Sequence, residues 1–117
     1  MYLIGDIGNT EIKICLVNND NKIFKRINFL NKNLSSSKLK IVLNKFEKYL
    51  PKVKKILFCS VVPRSFQIIK EYLKNKTKIK CFELKQLDLS SIIKIKVNYN
   101  QVGSDRLANA ISLINDM

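Results

Sequence analysis

The stretch ILFCSVV, residues 56 to 62, is a continuous apolar run. A strand with no polar face must be covered on both sides, so this segment predicts the central strand of an α/β sheet carrying helices on its faces. The segments before it follow a different rule. EIKICLV (11 to 17) alternates Ile12, Ile14 and Leu16 with Glu11, Lys13 and Cys15, the period of a strand. YLIGDI (2 to 7) precedes it across the short GNT, and KIFKRINF (22 to 29) follows across NNDN, so three strands joined by tight turns predict an antiparallel meander.

Past the polar loop NKNLSSS, apolar residues recur at Leu39, Val42, Leu43, Phe46 and Leu50. That spacing predicts a helix capped by the serines and closed by Pro51. Pro63 is placed to open a second helix with Phe66, Ile69 and Leu73 on its core face. KIKCFEL (78 to 84) reads as a fifth strand, IIKIKV (92 to 97) alternates, and a last helix is expected from about Ser104, with Leu107, Ala110, Ile111 and Ile114 on one side. The order β-β-β-α-β-α-β-α predicts a mixed five-stranded sheet, an antiparallel β1-β2-β3 meander followed by parallel β-α-β crossovers. This is the order of a ribonuclease H-like, actin-like ATPase half-domain, and residues 1–117 are expected to form one domain.

Glycine is scarce, 3 in 117 residues, well under the roughly 7 % of average usage. Two of the three, Gly5 and Gly8, stand in IGDIGNTEIK. A tight hairpin accounts for Gly8 and Asn9, both tolerant of positive φ. It leaves Asp6, Thr10 and Lys13 without a shared purpose. Backbone N–H groups of such a turn can approach a polyphosphate, Thr10 and Lys13 can bind its oxygens, and Asp6 can hold Mg²⁺ directly or through water. No Walker A pattern occurs.

The third glycine opens GSDRLANA. Asp105 in the first turn of a helix complements the dipole, but Arg106 opposes it and is better explained by an anionic ligand. An ionised Asp105 beside that cation can accept a proton from a hydroxyl, and Gly103 leaves room for the ligand. The stretch CSVVP, at the end of the apolar strand, is expected to border the same cleft.

Composition narrows the class. The net charge is +13, yet of 22 basic residues only Arg26, Arg64 and Arg106 are arginine, and the lysines are spread over every segment. This favours a solvated surface over a nucleic-acid interface. Cys15, Cys59 and Cys81 lie far apart in strand-like runs, and there is no histidine. Neither a disulfide framework nor a zinc site is expected. No apolar run spans a bilayer and the N-terminus has no signal-like basic region, so a cytoplasmic protein is the default expectation.

Taken together, D-x-G-N-T at the N-terminus, S-V-V-P in mid-chain and G-x-D-R-L-A-N-A further on resemble the type III pantothenate kinases. The resemblance implies ATP-dependent phosphorylation of the hydroxyl of pantothenate, the first step of coenzyme A synthesis. It further implies a cytoplasmic homodimer that uses a divalent cation such as Mg²⁺ and a monovalent cation, K⁺ or NH₄⁺. By the same resemblance, Asp6, Ile7, Gly8, Asn9, Thr10, Glu11, Ile12 and Lys13 form the ATP-phosphate loop, and Asp6 serves the metal. Asp105 is similar to the general base, with Gly103, Ser104 and Arg106 around pantothenate.

Many members also carry a pocket tyrosine followed by Asn-Pro ahead of the G-x-D-R motif. KVNYNQVGSDR is shorter and lacks that proline; Val97 falls near the place and Tyr99 is the candidate substitute. Members are much longer than this chain, and their second half supplies the adenosine pocket, the monovalent-cation site and a threonine that contacts substrate. These 117 residues alone are therefore not expected to turn over. Another small-molecule kinase of the same superfamily, or a non-catalytic nucleotide-binding module, remains a competing reading of the residues.

Overall fold

The computed structural model describes residues 1–85 together with Ala110, Ile111 and Ile114. Five strands form one sheet in the order β3-β2-β1-β4-β5. Strands β1 (Tyr2–Ile7), β2 (Glu11–Val17) and β3 (Ile23–Leu30) are the antiparallel meander; β4 (Lys55–Ser60) and β5 (Cys81–Lys85) add in parallel to β1. The mixed five-stranded α/β sheet expected from the sequence is the one observed.

The apolar run behaves as its composition demands. Ile56 and Phe58 enter one core with Leu3, Ile7, Ile12, Ile14 and Leu16, under the helices. Leu57 and Cys59 enter a second core, on the opposite face, with Ile4, Cys15, Val17, Ala110 and Ile114. Lys55 Nζ also donates to the Ile114 carbonyl at 3.3 Å. The strand ends at Ser60, earlier than expected, because its hydroxyl accepts the Val62 N–H at 3.1 Å and the chain turns there into α2.

Helix α1 is short, Ser36–Val42. Ser35 caps it, its hydroxyl accepting the Lys38 N–H at 3.2 Å. The single helix expected to run on to Leu50 does not form. Leu43 (φ −91°, ψ 5°) ends it, and 3₁₀ turns follow at Asn44–Phe46 and Leu50–Lys52, the second containing Pro51. Leu39, Leu43, Phe46 and Leu50 are nonetheless buried, and Val42 is half-buried. A 3₁₀ turn advances about 2.0 Å per residue against 1.5 Å for an α-helix, so the same apolar positions reach further across the sheet before β4 begins. Helix α2, Pro63–Thr77, has Pro63 in its first turn and buries Phe66, Ile69 and Leu73 as expected. It closes on Lys78 in the left-handed region (φ 60°), whose N–H returns to the Lys74 carbonyl. This cap delays the fifth strand to Cys81.

The three cysteines are buried thiols. Burial pushes Cys81 up to about 11 from its ordinary 9.0, with Lys70 pulling weakly the other way. An unfolded chain therefore releases this proton first as pH rises. The stability contributed is intact below pH 9 and is lost progressively towards pH 11. Denaturant titrations at about pH 8 and about pH 10.5 should show a larger alkaline loss for the native sequence than for Cys81→Ala. Equal losses would place the alkaline sensitivity elsewhere.

Candidate functional site

The candidate site forms at the carboxyl end of β1, the middle strand. The register Ile7↔Ile12 leaves a two-residue hairpin loop, Asn9–Thr10, closed by the Gly8 N–H donating to the Glu11 carbonyl at 2.9 Å. Asn9 does not take a positive φ, contrary to the expectation for this turn. Among the described residues, the non-glycine ones that do are Asn21, Asn33 and Lys78. Among the described residues, neither the Asn9 nor the Thr10 N–H has a protein acceptor, and both residues are exposed. Two adjacent amides are thus available to an anion, whereas that of Gly8 is used within the turn.

Asp6 is only 9 % exposed. It stands opposite Lys13 on β2 and beside Cys59 on β4, so these three share the face of the sheet that Ala110 and Ile114 cover. Ile7 and Ile12 have their side chains fully in the opposite core and can offer a ligand only backbone groups. Glu11 is exposed. The eight-residue phosphate segment expected from the sequence therefore divides. Asp6 and Lys13 lie on one face, the Asn9–Thr10 loop projects at the edge, and two isoleucines anchor it.

A cavity of about 580 Å³ opens beside the loop, lined by Asn9, Thr10, Asn31, Val62, Arg64 and Ser65 among others. Val62 brings the CSVVP stretch to this cavity, as the position of a strand end suggests. Asn31, Arg64 and Ser65 were not singled out by sequence reasoning. The only signal for them was position, directly after β3 and in the first turn of α2. Tyr99, Gly103, Ser104, Asp105 and Arg106 lie outside the described residues, as does the alternating 92–97 stretch.

Among the described residues no group of three or more histidine, cysteine, aspartate or glutamate side chains could enclose a metal ion. Among the described residues Asp6 is the buried carboxylate at the loop, and it suits instead a magnesium ion that takes its remaining ligands from phosphate and water. No described helix is long and apolar enough to cross a membrane.

Residues 2–117 match the family model for type III pantothenate kinase. The chain is 54 % identical over 116 residues to a curated type III pantothenate kinase of Pelagibacter ubique (strain HTCC1062), covering 99 % of this chain and 47 % of that protein. It thus spans about half the length of the curated relative it matches. Among solved structures, a ROK hexokinase of Thermus thermophilus superposes with a TM-score of 0.55 at 11 % identity, over 86 % of this chain and 40 % of that one. This likeness bears on the fold alone, and it agrees with the actin-like half-domain expected from the order of elements.

Proposed function

The chain belongs to the type III pantothenate kinase family, and from that premise we propose that it forms part of an enzyme transferring the γ-phosphoryl group of ATP to the hydroxyl of pantothenate. The observation that carries the reading is local. A buried carboxylate lies one residue before the end of the middle strand, a lysine stands opposite it in register, and the hairpin beyond forms an exposed loop with two amides that no described group accepts.

In this reading the Asn9 and Thr10 amides and the Thr10 hydroxyl bind phosphate oxygens, while Lys13 offsets their charge. Asp6 would hold the divalent cation, which would supply positive charge against the charge developing on the phosphate. Asp105 accepts the proton of the pantothenate hydroxyl as its oxygen forms a bond to the γ-phosphorus and the bond from that phosphorus to ADP breaks. Gly103, Ser104 and Arg106 surround pantothenate, with Tyr99 as the candidate pocket tyrosine. Ala110 and Ile114, which follow the G-x-D-R motif in sequence, support this placement because they lie on the face that carries Asp6. A monovalent cation, K⁺ or NH₄⁺, a homodimer and a cytoplasmic location complete the proposal.

The test is phosphopantothenate formation by the full-length protein, with Asp6→Asn compared at rising Mg²⁺. The variant keeps the shape of Asp6 but loses the charge that holds the cation. It should show a large loss of kcat and a raised Mg²⁺ requirement. An unchanged Mg²⁺ dependence would remove Asp6 from the metal site. No phosphopantothenate from the native protein would sink the whole reading.

A further inference from the structure

We propose that Asn31 is the positioning residue of the phosphate loop and that Ser65 sets its orientation; this rests on the kinase reading above. Three hydrogen bonds carry the inference. The Asn31 backbone N–H donates to the Thr10 carbonyl at 2.8 Å. Its side-chain Nδ2 donates to the Gly8 carbonyl at 2.9 Å. The Ser65 hydroxyl donates to Asn31 Oδ1 at 2.6 Å.

The amide can sit only one way. A carbonyl accepts and never donates, so Nδ2 must face Gly8, and Oδ1 is left for Ser65. Ser65 is itself 5 % exposed, held in the first turn of α2. The carbonyls on either side of Asn31 are braced as well, since Lys38 Nζ donates to Leu30 at 2.5 Å and to Lys32 at 2.7 Å.

The consequence for the loop follows from peptide planarity. The Gly8 carbonyl and the Asn9 N–H belong to one trans peptide, so they point in opposite directions. Holding that carbonyl towards Asn31 therefore turns the Asn9 N–H away from Asn31 and keeps it available to a phosphate oxygen. Asn31 touches neither phosphate nor the reacting hydroxyl in this scheme; it acts through the loop.

Asn31→Asp isolates the contact. The carboxylate keeps the size of the side chain and can still accept from Ser65, but it cannot donate to Gly8 and places an anion against its carbonyl. In the full-length protein this variant should raise the KM for ATP roughly tenfold, the order expected for losing a partly buried hydrogen bond and leaving its acceptor unsatisfied. The KM for pantothenate should stay within about twofold of the native value, because the group lost acts only on the phosphate loop. Ser65→Ala should shift the ATP KM in the same direction by less, and Ser65→Thr should restore it. A second readout needs no turnover: amide hydrogen exchange at Gly8, whose N–H closes the loop, should speed up in Asn31→Asp while the interior amides of β1 stay protected. An unchanged ATP KM and unchanged Gly8 exchange would overturn the proposal, even if the variant were less stable. Should the native protein fail to phosphorylate pantothenate, the kinase reading falls, and Gly8 exchange still decides whether Asn31 holds the loop.

Discussion

With Asp105 as the proposed base, Asp105→Asn in the full-length protein should lower kcat by roughly a hundred- to ten-thousand-fold, the range spanned by general acid–base contributions. Asparagine is nearly isosteric and still accepts a hydrogen bond from the pantothenate hydroxyl, so the KM for pantothenate should change little. What it cannot do is take the proton as the phosphorus–oxygen bond forms. A loss confined to kcat therefore separates proton acceptance from substrate binding. Steady-state kinetics with both substrates varied makes the comparison, and unimpaired turnover would remove Asp105 as the base. Arg106→Ala provides the contrast. A cation recruited by an anionic ligand should, when removed, raise KM as well as lower kcat.

Gly5→Ala should destabilise the protein by roughly 3 kcal/mol, at the upper end of typical overpacking costs. Gly5 lies in the middle strand, opposite Phe58 on β4. A Cβ built on it would stand 2.0 Å from Phe58 Cε1 and 2.3 Å from Cδ1. That ring is fully buried and packs on Phe66 at 6.3 Å between centroids, so it has little room to retreat. Thermal and denaturant midpoints of the single variant and of Gly5→Ala/Phe58→Leu would measure the effect. The double variant should recover part of the loss, because leucine vacates the volume that the new methyl group needs. A single variant as stable as the native protein would mean that β1 and β4 can shift apart at no cost, contrary to the packing described.

This contact changes the meaning of the glycine pair in IGDIGNT. Both glycines stand within two residues of Asp6, Gly5 in the first strand and Gly8 in the turn, and only Gly8 has a reason in local pattern. Gly8 does belong to the turn, donating to Glu11 and presenting its carbonyl to Asn31. Gly5 serves packing instead, since it gives room to a phenylalanine 53 residues later in the chain, opposite it across a parallel pair. Nothing in local pattern assigns Gly5 that packing role, because register between β1 and β4 depends on everything folded in between.

Other features were legible to different degrees for similar reasons. β1 and β2 begin and end where alternation and turn residues place them, since period and local turn chemistry are properties of contiguous residues. The helix expected through Leu50 kept four of its five core positions buried, Val42 being half-buried, but not its form. Apolar spacing reports which side chains face the core, and it is nearly the same for an α-helix as for a short helix followed by 3₁₀ turns.

The sequence by itself determined the mixed sheet, with its doubly covered strand, and the motifs that mark the family, because burial pattern and motif spacing are written in consecutive residues. Only the tertiary structure decided how the phosphate loop is held. Asn31 meets Gly8 across 23 positions and Ser65 across 34. Those hydrogen bonds exist because β3 ends beside the β1–β2 hairpin and α2 starts against both, a geometry set by strand register and crossover packing.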